Sequence, residues 1–416
     1  MSSRRAVALL ALVAVLSTAC EPAADPDAAA PPPITPAWQP VTLPAPPGPP
    51  GRLLVRDAAA CADRWYVLGG VADAAGATRP AAWTSADGTT WTSIAMLPKS
   101  YYGKQHVLYS VACRDGRVAL LGSKRGGAHA NPRTSSWRQL PDGSLAEVTA
   151  PFELFGGPRA VNVARMVAGP PGWLITGNRT GGAASWVSPD SNRFTIVEGA
   201  PELASDARGE TWGFDAVGHD GRWLMVGGLV PAGRTDRDPL AWTSADGVAW
   251  QRVPVPGGPE YDELQRVVLL DGVPVAVGLR GRAFGTWRAD AAPADGSPAA
   301  GGGPATSGTP TAGGDAEAGG WRVAGGFGTA RVDGVPGIRG LTVVAGRLVA
   351  VTVDGGGHAL WASTDRGDSW RSVEVPVSMP AGAERSVALA ASGERLLLVV
   401  DDASAGRVFL ASLPGD

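Results

Sequence analysis

The chain has 416 residues, among them 58 Gly and 36 Pro, with 18% charged residues and a formal net charge of −3. Nearly a quarter of it is therefore helix-breaking, which argues against a helical architecture. The balanced charge argues against a nucleic-acid partner, which needs a basic face.

Residues 1–19 read as a secretory signal. Arg4 and Arg5 precede an apolar run at 6–16, too short to span a bilayer permanently. The small residues Ser17-Thr18-Ala19 end at Cys20. This pattern resembles a bacterial lipobox, which implies cleavage before Cys20 and lipidation of its thiol. Residues 20–36 are rich in Ala, Pro and Asp without apolar periodicity, and read as a flexible tether. The expected location is the outer face of the cell membrane, reached through a lipid anchor.

The body, residues 37–416, repeats. Ala82-Trp83-Thr84-Ser85-Ala86-Asp87-Gly88-Thr89-Thr90-Trp91 recurs as Ala241-Trp242-Thr243-Ser244-Ala245-Asp246-Gly247-Val248-Ala249-Trp250. A third copy runs from Leu360-Trp361 to Trp370, with weaker copies at Trp137 and Trp186. Each is a short strand, an Asp/Gly turn and another short strand, the signature of a β-hairpin. Upstream of each hairpin lies an apolar run that often closes on Gly, such as Trp65-Tyr66-Val67-Leu68-Gly69 and Trp223-Leu224-Met225-Val226-Gly227. Seven such runs occur, at a spacing near fifty residues, which suits four-stranded propeller blades. The last blade lacks an outer strand. Trp38-Gln39-Pro40-Val41 reads like Trp250-Gln251-Arg252-Val253 and can supply it. The expectation is an all-β, seven-bladed propeller whose N-terminal strand closes the ring and removes an open edge. Residues 290–320 form a Gly/Ala/Pro-rich insertion in one hairpin, expected to be disordered.

Ser363, Asp365, Gly367 and Trp370 fit the pattern Ser-x-Asp-x-Gly-x-Ser-Trp. Asp87, Gly88 and Trp91, and Asp246, Gly247 and Trp250, form a variant one residue shorter. These motifs resemble the Asp-box of bacterial sialidases and other propellers with sialidase-like repeats. The resemblance implies a propeller in which these residues shape turns away from any active site. It also raises the activity of a sialidase-like exo-glycosidase. That family's Phe/Tyr-Arg-Ile-Pro element is not found here, and no catalytic residue can be carried over.

Four His (106, 129, 219 and 358) show no metal-ligand spacing, so neither a metal nor a cofactor is expected. Cys61 and Cys113 each fall at the end of an inner strand in neighbouring blades, and a disulfide joining those blades is expected in an oxidising compartment. The loops between blades carry Tyr101, Tyr102, Lys104, Arg159, Glu210, Trp212, Tyr261, Glu263 and Arg331. The connections inside blades add Arg79, Lys124, Arg125, His129, Arg133, Arg234 and Arg237 on the same face. Tyr, Trp and Arg dominate binding hot spots, so this loop face is the candidate ligand surface. The expected work is binding or scaffolding of a protein or glycan. Hydrolysis would instead require a Tyr hydroxyl beside a Glu, with guanidinium groups converging on the same point.

Overall fold

The computed structural model describes residues 31–126, 132–289, 320–331 and 335–414. The chain divides into two units, Met1–Pro32 and Pro33–Asp416. The second unit holds seven sheets in chain order. Their inner strands are Arg52–Cys61, Val107–Arg114, Ala160–Gly169, Gly209–His219, Asp262–Leu270, Gly337–Val344 and Ser386–Ser392. Each packs against the next and the seventh against the first, so the sheets are the blades of a closed seven-bladed propeller. The seventh blade is completed from the far end of the chain. Gln39–Val41 pairs antiparallel with Gly406–Ser412. Pro40 is tolerated because the strand lies at the edge of its sheet.

Two details differ from the expected layout. Ile34, assigned to the tether, is buried and bridges to Val373 in blade six. Its N–H donates to Ser372 O at 2.8 Å and its carbonyl accepts from Glu374 N at 2.8 Å. Pro33 and Pro36 favour the extended backbone that such pairing needs. Blade two also gains a fifth strand, Met96–Leu97, parallel to Leu145–Glu147. Residues 1–30 with Cys20, His129, and the insertion at 290–319 lie outside the described residues.

The repeated Trp residues have two structural jobs. One position in the third strand of every blade is aromatic: Trp83, Trp137, Trp186, Trp242, Trp287, Trp361 and, in blade seven, Phe409. The rings fill the core. Several of the indole N–H groups hold the segment leading into an inner strand, donating to Pro44 O (2.8 Å), Glu202 O (2.9 Å) and Pro256 O (2.8 Å). A buried indole N–H needs such a partner. The second set closes the hairpin turns. In blade four Asp246 Oδ1 accepts from Val248 N (2.8 Å) and Ala249 N (3.0 Å), while Ser244 Oγ accepts from Gly247 N (2.8 Å). Gly247 sits at φ +75°, where a side chain is strained, and Trp250 Nε1 donates to its carbonyl at 2.9 Å. The Asp87 turn repeats this arrangement, and Asp365 likewise accepts from Ser369 N at 2.9 Å, while Trp370 donates to Thr286 Oγ1 in the neighbouring blade. Cys61 and Cys113 are joined by a disulfide, Cα to Cα 5.4 Å, which fastens the first two inner strands together.

Candidate functional site

The site begins with a backbone irregularity. Six inner strands slip register by one residue at equivalent points, and the extra residues are Arg56, Tyr109, Ala164, Phe214, Gln265 and Arg339. A bulge bends the strand and redirects a side chain. In five of these blades a Gly that ends the apolar run faces the bulge, and in blade six Thr352 takes that place. A Cβ on Gly69 would lie 1.8 Å from Leu54 O, and one on Gly278 would lie 1.8 Å from Glu263 O. In blade seven the facing residue is Val400 and the pairing runs without a shift.

The residue after each bulge links neighbouring blades around the axis. Asp57 Oδ2 accepts from Val111 N (3.0 Å), and Ser110 Oγ accepts from Met166 N (2.9 Å). Arg165 pairs with Asp215 at 3.2 Å, and Asp215 accepts from Val267 N at 3.3 Å. Arg266 comes next in the ring, and the following two positions are Gly340 and Ala388. No carboxylate pairs with Arg266 among the described residues. Burial and the like charge of Arg165 pull its pKa down to about 10. Small residues beside it leave an axial funnel of about 750 Å³, whose lining includes Arg56, Arg165, Arg266, Arg339 and Arg385.

A cleft of about 620 Å³ adjoins the funnel over blades four to six and shares Phe214, Arg266 and Arg339 with it. Trp212 and Phe214 form one wall, and the Arg237 guanidinium lies over both rings, 5.2 and 5.7 Å from their centres. Arg237 donates to Tyr261 Oη at 3.0 Å and to Glu263. Tyr261 donates to Glu263 Oε2 at 2.8 Å, and Gln265 donates to Oε1. Gln265 in turn accepts from Ile338 N at 2.6 Å, fixing the cluster across two blades. Burial works against the Arg237 charge, yet Glu263 outweighs it and holds the guanidinium pKa above its ordinary value. Burial, and the negative charge of Glu263, push the Tyr261 hydroxyl above the usual phenol range. Tyr261 therefore keeps its proton and serves as a donor.

The structure brings Trp212, Tyr261, Glu263 and Arg331 into this one cleft, together with Arg237. It places the other loop-face residues elsewhere. Tyr101 and Tyr102 sit over blade two, where Arg133 stacks 5.4 Å from the Tyr102 ring and 4.3 Å from Phe152. Lys104 is exposed in a short 3₁₀ turn, and Glu210 is exposed on its strand. Arg159 pairs with Glu198 at 2.7 Å near the outer edge of blade three. Reading the loops missed Arg266, Arg339, Phe214 and Gln265, which come from inner strands. A polar residue recurring at one position of otherwise apolar strands was the available signal. Among the described residues no group of three metal-ligating side chains occurs.

No protein-family model and no curated protein matches the chain. Among solved structures it is similar to the β-propeller domain of the Trilobed protease from Pyrococcus furiosus, at 9% identity and a TM-score of 0.45 over 88% of this chain and 96% of that one. It is also similar to a Trypanosoma rangeli sialidase in complex with the inhibitor DANA (11%, TM-score 0.40, 87% and 55%). A third is an α-L-arabinofuranosidase from Fusarium graminearum (13%, TM-score 0.41, 76% and 96%). The chain spans about half the length of the sialidase. Likeness at this level says nothing about the site.

Proposed function

We propose that the propeller is a binding module for an acidic sugar, seated in the cleft over blades four to six. One observation carries this reading. Five Arg (237, 266, 282, 331 and 339) line the cleft against a single carboxylate, Glu263, beside the Trp212 ring. Guanidinium groups hold carboxylates through paired N–H donors, and an aromatic face packs against the apolar face of a sugar. Titrating the protein with a uronic-acid disaccharide, with indole fluorescence as readout, tests it. Saturable binding that weakens with salt is expected, with at least a tenfold loss in Arg339→Ala. Equal affinity for the uncharged disaccharide would refute it.

A second reading, a glycoside hydrolase, is favoured by the Tyr261–Glu263 contact at 2.8 Å. It stands behind binding because both Glu263 oxygens are already engaged by three donors. No other carboxylate lines the cleft among the described residues to act as an acid. Release of reducing sugar in the same titration, abolished in Tyr261→Phe, would reverse that order.

The module is also proposed to be tethered outside the cell membrane through Cys20. The signal-like residues 1–19 support this, as does a disulfide within the fold, a bond of oxidising compartments. Cys20→Ser is expected to release the protein from membranes into the medium. Unchanged membrane retention would count against the anchor.

A further inference from the structure

The acidic-sugar site extends well beyond the cleft, and this inference depends on that reading. A third cavity, of about 560 Å³, lies over blades one to three and the entry to blade seven. It shares Arg56, Tyr109, Arg385 and Ser386 with the axial funnel, as the cleft shares Phe214, Arg266 and Arg339 with it. The three spaces are therefore one trough across the loop face. It runs from Lys124 and Arg125, through the axis, to Arg237 and Arg331. Its lining holds ten Lys and Arg, on a chain whose net charge is −3. Arg56, Arg125, Arg165, Arg237 and Arg331 pair with Asp401, Glu384, Asp215, Glu263 and Asp354. Lys124, Arg266, Arg282, Arg339 and Arg385 have no carboxylate partner among the described residues. Such segregation makes a local positive field that attracts and retains a polyanion.

We infer that the trough binds a linear acidic polysaccharide lying across the whole face, with successive carboxylates meeting cations in all three cavities. Each cavity is the size of a site for one small ligand. Three in line, each with its own cations, suit a chain of several sugars better than one terminal residue. Tyr109, Phe214 and Trp212 supply aromatic surfaces along the way. An acidic peptide fits less well. Extended peptides bind by pairing with free backbone groups of a strand. Here Val111 N, Met166 N and Val267 N, on the inner strands, are already taken by Asp57, Ser110 and Asp215.

The test uses the full-length protein and oligogalacturonides of increasing length, from dimer to hexamer. Affinity is expected to rise at least tenfold from dimer to hexamer, with a steeper salt dependence for the longer chain. The double variant Lys124→Glu, Arg125→Glu lies at the far end of the trough from the cleft. It should weaken the hexamer about tenfold, near 1.4 kcal/mol, and leave the dimer unchanged. Equal affinity for dimer and hexamer, or a silent double variant, overturns the extended site while leaving the cleft reading intact. Failure of every oligomer to bind removes both. A poly-glutamate of matched charge that binds as tightly as the hexamer overturns the choice of a glycan.

Discussion

The two faces of the ring use similar residues for opposite purposes. On the turn face, Asp87, Asp246 and Asp365 spend their oxygens on N–H groups of their own turns, and Trp91 and Trp250 bond to glycines in those turns. These bonds close within a few residues, although Trp370 instead reaches Thr286 Oγ1 of the neighbouring blade at 3.0 Å. On the loop face, ion pairs reach from blade to blade, as from Arg56 to Asp401 and from Arg165 to Asp215, and some cations stay outside them. Among the described residues, Arg266 and Arg339 lie in the funnel without a carboxylate partner, and the buried Arg237 Nε and Arg266 Nε have no hydrogen-bond partner. Local saturation marks the structural face, and surplus donors gathered from afar mark the binding face.

Two substitutions sharpen this contrast. The larger effect is expected at Trp242, whose fully buried ring belongs to the core while its N–H holds Glu202 O on the loop side. Trp242→Ala should cost about 3–5 kcal/mol in denaturant unfolding. A loss under 1 kcal/mol would mean that the third-strand aromatic ring is not a main support of the fold. A smaller effect is expected at Asp246. Its backbone hydrogen bonds hold the carboxyl below its ordinary value of 3.8, so the stabilisation is present above that pH and fades as pH falls through the lowered folded value. Asp246→Ala should cost about 1 kcal/mol at neutral pH, converge with the parent in acid, and leave sugar binding unchanged. Weakened binding at neutral pH, in the folded variant, would break the division between the faces.

Much of this was legible in the chain. The turn motifs are local, since Ser244, Asp246, Gly247 and Trp250 satisfy one another within seven residues. The apolar run ending in Gly was visible as a repeat, but its meaning was not. Gly69 and Gly278 make room for a bulging strand, and the bulges set which inner-strand residues reach the axis. The loop-face list mixed residues of unequal fate. Trp212, Tyr261, Glu263 and Arg331 meet in one cleft, whereas Lys104, Arg159 and Glu210 do not, because blade order and not residue type decides which loops face each other. Ile34 shows the same limit on a small scale. A Pro-rich segment without periodicity reads as tether, yet one apolar side chain found a sheet edge to cover.

Sequence by itself determined the repeat, the count of seven blades and the closure by residues 39–41, because each depends on short-range strand and turn chemistry repeated in register. Tertiary structure alone decided the site. The axial cations are spread along the chain from Arg56 to Arg385, on different blades, and only the closing of the ring brings them to a common axis. Arg56 and Arg165 meet Asp401 and Asp215 there, while Arg266 and Arg339 are left without a carboxylate partner among the described residues.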